Sequence, residues 1–427
     1  MQKTSISLKN SKDWKAILFW ANQYKYCCYF SGQQVENYPY GSFPNTVAIG
    51  DEVLPLIQSN VFDSLESYLN ENGENPIYGF FSYDLFEETH QIKSNHKAII
   101  NWPSSLFFKA HTIISFKQNE IEVKSNKLDT VTSSLIEFIE QPFKCPENLG
   151  YEGRLKPDTS EKEYVATVNK LREHIEDGNV YEINYCINNY ATTKTFDPLV
   201  AYYRLNAKSP TPFSTYLKCD QKYVICASPE RFIKAQSGKI ISQPIKGTAK
   251  RAESAIDDAN LKSALYHSEK ERAENMMIVD LVRNDFSQSS IAGTVKVEEL
   301  FGIYSFKYVH QMISTITATR KKGISGVQAI KNAFPMGSMT GAPKRSAIQL
   351  IEKYEKSKRG VFSGSIGYFN NQDSFDFNVV IRSLFYDSKT HHLNYQIGSA
   401  ITYDSNAEDE YKECKLKAQA IEEILKT

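Results

Sequence analysis

A lysine in an unusually constrained backbone is the first candidate for chemistry in this sequence. Lys246 lies in the stretch ISQPIKGTAKR, between a proline-isoleucine pair and a glycine. Lysine is ordinarily a mobile surface residue, whereas proline fixes the backbone and glycine permits tight turns. Burial or a nearby cation favours the neutral amine, which is a nucleophile. From this stretch alone, Lys246 could be a Schiff-base lysine, a surface residue or a structural ion-pair partner.

Three glutamates have spacings that suit a divalent cation. Glu274 lies in the helix-like stretch RAENMMIVDLVRND, while Glu410 and Glu413 share one face of a second helix-like stretch. Mg²⁺ is often held by one or two protein carboxylates, with water and substrate oxygens in its other positions. Glu274 and Glu413 could therefore hold Mg²⁺ if the two helices meet. The ordinary alternatives are a solvated acidic face and, for Glu413 with Lys417, a salt bridge within the helix.

Two further charged residues lie at positions that indicate a pocket. Glu230 follows a proline at a strand end in SPERF, a place where side chains often face a pocket. Arg382 lies in the strand-like run VVIRSLFY, where a guanidinium is costly unless it is paired or bound to an anion. The turn GSMTGAPKR contains Thr340 and Gly341. Its glycine spacing does not match a phosphate-binding loop, but its N–H groups could face a carboxylate.

The elements that position these residues are predicted to be helices and β-rich runs. Residues 160–178 predict a helix that begins with a capping box formed by Ser160 and Glu163. A long helix is predicted over about 255–283, and a C-terminal helix over about 407–426. Runs of strands separated by runs of helices favour an α+β fold over regular βαβ winding.

The chain is predicted to contain an N-terminal region, a linker and a larger catalytic region. Residues 1–140 alternate short β-rich runs with polar turns, including strands over 78–86 and 105–116. Residues 141–159 are rich in proline and show little periodicity, which is typical of a linker. Residues 160–427 contain all of the candidate site residues named above.

Composition excludes several classes of function. The chain has 427 residues, and 50 basic residues balance 50 acidic ones, so the basic field that a nucleic-acid or membrane-surface binder needs is missing. No run approaches the length of a membrane span, and no signal peptide is visible. The seven cysteines form no C-x-x-C pair, and we expect reduced, mostly buried thiols in a cytoplasmic protein.

Six motifs in a fixed order resemble those of a known family. SPERF, PIKGTAKR, AENMMIVDLVRND, FPMGSMTGAPKR, IRS and DSNAEDEYKECKLK resemble those of the chorismate-utilising enzymes, which include the first components of anthranilate synthase and aminodeoxychorismate synthase and the isochorismate and salicylate synthases. The resemblance is close over residues 160–425, and GFFSYDL is the clearest landmark before it. It implies an α+β fold in which large antiparallel β-sheets form a sandwich-like core flanked by helices.

The resemblance also implies a reaction. The anthranilate branch has alanine at position 246, whereas the aminodeoxychorismate branch typically has the P-I-K-G-T seen here. Lys246 would then attack carbon 2 of chorismate, and ammonia would add at carbon 4 and expel the lysine, an amino-group transfer that gives 4-amino-4-deoxychorismate on the route to 4-aminobenzoate and folate. Glu230 matches the acid that protonates the leaving hydroxyl, and Arg382 matches the residue that clamps the enolpyruvyl carboxylate.

The remaining positions follow from the same motifs. Glu274 and Glu413 match the ligands of a Mg²⁺ that grips the ring carboxylate, and Glu410 is expected to bind it through water. The positions that match the substrate pocket are His310, Thr340, Gly341 and Gly398, the last as the start of a stretch whose N–H groups face a carboxylate. Glu182 departs from the family pattern, because relatives have glutamine there and the water-adding branch has lysine.

Three other readings compete with this one. The first is anthranilate synthase component I, against which Lys246 argues. The second is a non-catalytic chorismate-binding relative, which would have no need of Lys246, Glu230, Glu274, Glu413 and Arg382 together. A pyridoxal-phosphate enzyme ranks last, because no phosphate cup accompanies the lysine. No cysteine lies in the glycine-flanked turn typical of a glutaminase, so ammonia is expected from a separate glutamine amidotransferase subunit in a heterodimer.

Overall fold

The computed structural model describes residues 1–8, 13–32, 38–72 and 75–426. In this part of the chain the strands are β1 (Gln2–Ser7), β2 (Tyr26–Ser31), β3 (Thr46–Gly50), β4 (Ile77–Phe81), β5 (Ser105–Lys109), β6 (Thr112–Phe116), β7 (Glu120–Ser125), β8 (Lys156–Pro157), β9 (Glu182–Thr192), β10 (Phe213–Cys219), β11 (Lys222–Ser228), β12 (Arg231–Gln236), β13 (Lys239–Gln243), β14 (Ile245–Lys250), β15 (Lys296–Ser305), β16 (Val309–Thr319), β17 (Gly341–Ala342), β18 (Ser365–Asn371), β19 (Ser374–Asn378), β20 (Ser383–Asp387) and β21 (His392–Ile401). The α-helices are α1 (Asp13–Ala21), α2 (Val61–Asn72), α3 (Phe86–His90), α4 (Leu128–Glu140), α5 (Glu161–Glu176), α6 (Pro198–Lys208), α7 (Ala255–His267), α8 (Glu269–Ser289), α9 (Gly326–Ala333), α10 (Lys344–Tyr354) and α11 (Ala407–Leu425).

Two antiparallel sheets form the framework. The larger sheet has the order β1-β7-β6-β3-β2-β10-β11-β20-β21-β9-β17, with β8 paired to β9. The smaller sheet has the order β14-β16-β13-β12-β19-β18-β4-β5, with β15 paired to β16. The predicted α+β class, with large antiparallel sheets in a sandwich flanked by helices, is confirmed.

Alternating side chains of the larger sheet serve two separate cores. In β2, Cys28 and Phe30 belong to the core that also contains Phe80 and Phe377 of the smaller sheet. The neighbouring Cys27 belongs to a second core, shared with helices α1, α5, α6 and α11. Because successive residues of a strand point to opposite faces, a strand buried on both faces shows no polar alternation. All six residues of YCCYFS are accordingly buried.

Helices α2, α8 and α9 complete the first core against the smaller sheet. Phe62 of α2, Ile278 of α8 and Ile330 of α9 are buried in it. Helix α8 thereby presents its remaining face, which carries Glu274, toward the C-terminal half of the chain. None of the helices that the structure describes has an apolar stretch long enough to cross a membrane.

Both sheets contain strands from before and after the predicted linker. In the larger sheet, β2 pairs with β10, and in the smaller sheet β4 pairs with β18. Residues 141–159 contain the two-residue strand β8 and no helix, and Leu149 and Thr159 are buried. The segment is packed against the second core, and its role as a domain boundary stays a prediction.

Most predicted elements are present, with three differences. The strand predicted over 105–116 is two strands, β5 and β6, which belong to different sheets. Helix α5 begins with the predicted capping box, in which Ser160 and Glu163 bond each other's backbone N–H groups. The single helix predicted over 255–283 is two helices, because Ser268 ends α7 and caps α8 with its hydroxyl. The strand predicted over 78–86 ends at Phe81, where Ser82 caps a 3-10 turn.

A fully buried ion pair ties the smaller sheet together. The guanidinium of Arg231 on β12 makes a two-pronged contact with the carboxylate of Asp376 on β19, at 2.9 and 3.0 Å. The two side chains are 0% and 2% exposed. Arg231 also donates to the carbonyl of Gly41 at 2.7 Å and stacks over the ring of Phe213. Every direction of the guanidinium is thus used.

Asp376→Ala is expected to lower the free energy of unfolding by about 3–5 kcal/mol, because it leaves a buried guanidinium unpaired. The measurement is denaturant unfolding of the full chain at neutral pH. The matched control is Asp373→Ala, which removes the exposed partner of Arg320, a carboxylate with 59% exposure, and should cost less than about 1 kcal/mol. Equal losses in the two variants would contradict the stabilising role of the buried pair.

Candidate active site

Two of the connections that lead from one sheet to the other lie next to each other. Strand β11 of the larger sheet leads into β12 of the smaller sheet through Pro229 and Glu230, and β19 of the smaller sheet leads back into β20 through residues 379–382. The two crossings are hydrogen-bonded to each other, since the N–H of Val379 donates to the carbonyl of Glu230 at 3.0 Å and the N–H of Ala227 donates to that of Arg382 at 3.2 Å. Glu230 and Arg382 are therefore brought together by the fold itself.

Arg382 has no protein counter-ion in contact with it. The sequence predicted a strand position, but Arg382 lies just before β20 with φ of +52°, a left-handed conformation that the sharp turn between sheets requires. It is half-buried, and burial lowers the pKa of its guanidinium, an effect that the nearby charge of Glu230 opposes. Among the described residues its guanidinium makes no hydrogen bond or ion pair. Such a group suits an anionic ligand.

Glu230 is a buried carboxyl group suited to proton donation. It is 5% exposed, and the hydroxyl of Ser338 donates to its Oε1 at 2.7 Å. Burial raises the pKa of Glu230 to about 7, although Ser338, Lys246 and Arg382 each act to lower it. A carboxyl group with this pKa carries a proton in a useful fraction of molecules near neutral pH.

Lys246 lies in a β-bulge that directs its side chain. Between Ile245 and Thr248, β14 contains one residue more than its partner β16. Gly247 has a φ of +92°, which glycine adopts without strain. A bulge with such a glycine re-aims the neighbouring side chain. The backbone of the P-I-K-G-T motif thus fixes where the amine points.

The amine of Lys246 is paired with Glu182. Its Nζ lies 2.7 Å from Oε1 of Glu182, and the two side chains are 11% and 2% exposed. The expected effect of burial on Lys246 is present, but it does not dominate in this arrangement. Burial does lower the pKa of Lys246, but Glu182, Glu274 and Glu413 outweigh burial and raise it above its usual value. Lys246 therefore rests as an ammonium ion.

Gly341 packs against the backbone of Glu182, and Thr340 precedes it in the chain. The two residues of β17 pair with Ile183 and Glu182 at the start of β9. A Cβ on Gly341, whose φ is +140°, would lie 2.1 Å from the carbonyl oxygen of Glu182, so only glycine fits there. The hydroxyl of Thr340 donates to the carbonyl of Met336 at 2.8 Å. Their assignment to the substrate pocket stays a prediction.

Helices α8 and α11 place two of the predicted metal ligands, Glu274 and Glu410, around one lysine. Nζ of Lys270 lies 3.8 Å from Oε1 of Glu274 and 4.0 Å from Oε1 of Glu410, so one ammonium group bridges the two helices. Glu413 forms the ordinary salt bridge with Lys417 one turn later, at 2.6 Å. The pKa of Glu274 is raised to about 7. Burial is the largest cause, Lys246 acts to lower the pKa, and Glu271 acts to raise it. Negative charge is therefore in excess at this edge of the site.

These carboxylates fit a hard divalent cation in their chemistry. The position of Lys270 shows that positive charge is stabilised between Glu274 and Glu410, and its side chain is 56% exposed, so it can leave for solvent. In the part of the chain that the structure describes, no group of three or more His, Cys, Asp or Glu side chains forms a ready metal site. Mg²⁺ itself often takes only one or two protein carboxylates and completes its coordination with other oxygens.

His310 and Gly398 are the two remaining predicted residues. His310 is buried and bonded on both ring nitrogens, to Asp258 at 3.0 Å and to Ser305 at 2.9 Å. Its place in the substrate pocket stays a prediction. Gly398 lies on β21, and its carbonyl accepts from Lys417 at 3.2 Å on the side away from β9. Because the N–H and C=O of one strand residue point to the same side, its N–H also faces the open edge.

Ser338 and Lys270 were missed by the sequence analysis. Ser338 lies two residues before Thr340, and Lys270 lies four residues before Glu274, but neither spacing indicates a partner on a distant element. A cavity of about 370 Å³ lies elsewhere, between Tyr26, Trp102 and Lys222. It contains none of the candidate residues. We therefore place the candidate active site at the charged residues around Lys246 and not at this cavity.

Comparison with known proteins gives consistent results. A family model described as chorismate binding enzyme matches residues 13–423. Aminodeoxychorismate synthase component 1 from Escherichia coli K12 is 31% identical over 381 residues, which cover 85% of this chain and 80% of that protein. Anthranilate synthase component 1 from Saccharolobus solfataricus is 31% identical over 350 residues, covering 81% and 79%. The chloroplastic aminodeoxychorismate synthase of Arabidopsis thaliana is 33% identical over 364 residues, covering 80% of this chain but only 39% of that protein.

The fold is shared with solved structures. The crystal structure of anthranilate synthase component I from Streptococcus pneumoniae superposes with a TM-score of 0.74 over 98% of this chain and 92% of that one. The sequence identity in this comparison is 23%, so the likeness is one of fold.

Glu230→Gln is expected to stabilise the protein at pH 8 and to leave its stability at pH 5 nearly unchanged. The folded-state pKa of Glu230 is raised to about 7, so its stability contribution is lost as the pH rises from the unfolded value toward 7. The gain at pH 8 should approach about 3 kcal/mol. Denaturant unfolding at the two pH values measures it, and a gain that is equal at both would contradict the buried-charge explanation.

Proposed function

The chain belongs to the family of chorismate-binding enzymes, and on this premise we propose that it aminates chorismate to 4-amino-4-deoxychorismate. The observation that carries the proposal is Lys246, which a β-bulge directs into a site flanked by Glu230 and the acidic cluster. The motif around it is the P-I-K-G-T that we expect of the aminodeoxychorismate branch. The chain spans 39% of the length of the Arabidopsis relative and 80% of the Escherichia coli one, so the activity stays a proposal.

Lys246 is the proposed nucleophile at carbon 2 of chorismate. Its attack and the departure of the carbon 4 hydroxyl give a covalent lysine adduct, to which ammonia adds at carbon 4 while the lysine leaves. Such covalent catalysis divides one difficult displacement into two easier ones. The fixed direction of the amine supports this role, because an amine that is already oriented loses less entropy on reaching the transition state.

Glu230 and Arg382 are proposed to contact two neighbouring groups of chorismate. Glu230 donates its proton to the leaving hydroxyl, so that water departs instead of hydroxide. Arg382 binds the enolpyruvyl carboxylate with its planar pair of N–H groups, which match a carboxylate in two-pronged fashion. The hydrogen bonds between the two crossings keep their spacing constant, which suits a substrate that both residues contact.

Glu274 and Glu413 are the proposed ligands of Mg²⁺, with Glu410 acting through water. When bound, the cation would hold the ring carboxylate of chorismate and neutralise its charge. The residues of the chain supply the carboxylates, and Lys270 provides a counter-charge that moves aside. Positive charge near Glu274 and Glu413 also weakens their hold on the proton of Lys246.

Ammonia is proposed to come from a separate glutamine amidotransferase subunit in a heterodimer. The seven cysteines are unpaired and six of them are buried. Burial raises the pKa of Cys27 to about 12 and that of Cys226 to about 11, so neither is a ready thiolate nucleophile for glutamine. We also place the reaction in the cytoplasm, where unpaired thiols are the rule.

Anthranilate synthesis is the second candidate, supported by the Saccharolobus relative and by the shared fold. It requires no lysine nucleophile, and it would leave the bulge at Lys246 and the Glu182 ion pair without a use. The product therefore separates the two activities.

We expect the purified chain to convert chorismate, Mg²⁺ and ammonium into an aminated product that retains the pyruvyl group. Mass spectrometry of the products at mildly alkaline pH measures this. Lys246→Ala should lower the rate by at least about 10²-fold, because the covalent step is lost. Lys234→Ala, a lysine on the same sheet that contacts Asp376 instead, is the control.

Anthranilate together with free pyruvate would move the chain to the other branch. Full activity of Lys246→Ala would exclude the nucleophile role even if the aminated product forms. If ammonium alone gives no product, the assay is repeated with glutamine and an amidotransferase subunit, and failure there as well would favour a binding protein over an enzyme.

Glu274→Gln is expected to weaken Mg²⁺ binding by at least roughly tenfold, since it removes a direct carboxylate ligand. Calorimetric titration of Mg²⁺ into the protein with chorismate present measures it, together with the Mg²⁺ concentration for half-maximal rate. Glu298→Gln, on the distant strand β15, is the matched control. Unchanged Mg²⁺ affinity in Glu274→Gln would remove this residue from the metal site.

A further inference from the structure

Glu182 is a buried carboxylate with one oxygen in use and one free. It is 1% exposed, and its Oε1 receives the hydrogen bond from Nζ of Lys246 at 2.7 Å. Its Oε2 is fully buried and has no hydrogen-bond partner among the described residues. Buried carboxylate oxygens are normally satisfied, so an orphan oxygen beside the amine of Lys246 needs an explanation. The start of β9 holds Glu182 in place through the close approach of Gly341.

Other acidic groups face Lys246 without touching its amine. Glu274 and Glu413 act on it through their charge from α8 and α11, Glu271 does so from the first turns of α8, and Glu230 does so from the crossing between the sheets. In the described part of the chain, the bond to Glu182 is the one hydrogen bond that Nζ makes. Glu182 is thus the group placed to receive a proton from this nitrogen.

We propose that Glu182 accepts the proton that Lys246 must lose before its amine attacks chorismate. The inference rests on the proposed function, because it concerns a step of that reaction. A structural ion pair alone does not account for the geometry, since a buried pair is stabilising only when its remaining lone pairs are satisfied. The orphan Oε2 leaves room for Glu182 to exist in the protonated form.

The reaction balances with Glu182 and Glu230 each carrying one proton in turn. The proton of Nζ passes to Glu182, and the amine forms a bond to carbon 2 as both conjugated ring double bonds shift by one position and the bond from carbon 4 to oxygen breaks; both double bonds shift back when ammonia displaces the lysine. Glu230 gives its proton to the departing oxygen, which leaves as water. Ammonia then bonds to carbon 4 and yields one proton to Glu230, the bond from carbon 2 to nitrogen breaks, and Lys246 regains its proton from Glu182.

The pH dependence gives a readout that a structural role would not change. In the intact pair, the ion pair and the neutral pair contain the same number of protons, so the reactive fraction does not depend on pH. Without a carboxylate at position 182, the reactive amine has one proton fewer than the resting ammonium. The ratio of variant to unsubstituted kcat/KM should then rise about tenfold per pH unit below the pKa of Lys246.

The experiment compares Glu182→Gln and Glu182→Asp with the unsubstituted chain over pH 6–8, at a constant concentration of free ammonia. We expect Glu182→Gln to lose about 10²–10⁴-fold in kcat/KM at pH 7 and to show the rising ratio. Glu182→Asp, which keeps a carboxylate, should lose less and show a flat ratio. The melting temperature and the calorimetric affinity for chorismate check that each variant is folded and binds.

The outcomes separate this inference from the function on which it rests. A Glu182→Gln variant within about threefold of the unsubstituted rate, or with a flat ratio, overturns the proton-acceptor role while the aminated product still forms. If Glu182→Gln does not fold, a rising ratio in Glu182→Asp overturns it and a flat one supports it. A double substitution with Lys246→Ala should lower the residual rate no further than Lys246→Ala alone, because Glu182 acts through that amine. Absence of aminated product from the unsubstituted chain itself counts against the proposed function instead.

Discussion

The site depends on two adjacent places where the chain crosses from one sheet to the other, between β11 and β12 and between β19 and β20. Backbone hydrogen bonds join these crossings, at Val379 to Glu230 and at Ala227 to Arg382. At a crossing the chain leaves the ladder of its sheet, so its side chains do not have to follow the alternation of a regular strand. The left-handed conformation of Arg382 is the local strain that accompanies this turn, and such strain is often found where a residue serves a ligand. A carboxyl group and a guanidinium are thereby held at a fixed spacing by main-chain atoms.

Electrostatics then determines the state of each group. Lys246 is surrounded by the carboxylates of Glu182, Glu274 and Glu413, so it is charged despite its burial. Glu230 is also buried, and burial outweighs the effects of Ser338, Lys246 and Arg382, so its pKa is raised to about 7. Two groups with opposite responses to the same low-dielectric pocket are what a reaction needs when it requires both a proton donor and a nucleophile. The charge that opposes the nucleophile also creates the attraction for a cation between α8 and α11.

The ion pair between Lys246 and Glu182 links these two aspects of the site. The bulge in β14 directs the amine, and the short strand β17, with glycine at position 341, brings β9 close enough to place the carboxylate against it. A glutamine at position 182 could accept a hydrogen bond from the amine, but it could neither hold the amine as an ammonium by charge nor take its proton. In the proposed reaction, the carboxylate at position 182 therefore changes how Lys246 becomes reactive.

The sequence by itself determined the family, the α+β class and the identity of most charged residues in the site, because these are written in local motifs and in periodicity. It also placed α5 and its capping box correctly, since a cap depends on residues three positions apart. It could not determine that Lys246 meets Glu182, that Ser338 meets Glu230, or that Lys270 bridges Glu274 and Glu410. These pairs lie on elements far apart in the chain, and their contact is decided by sheet order and register. The balance of charges around Lys246 escapes the sequence for the same reason, because burial and the positions of surrounding charges exist only once the chain has folded.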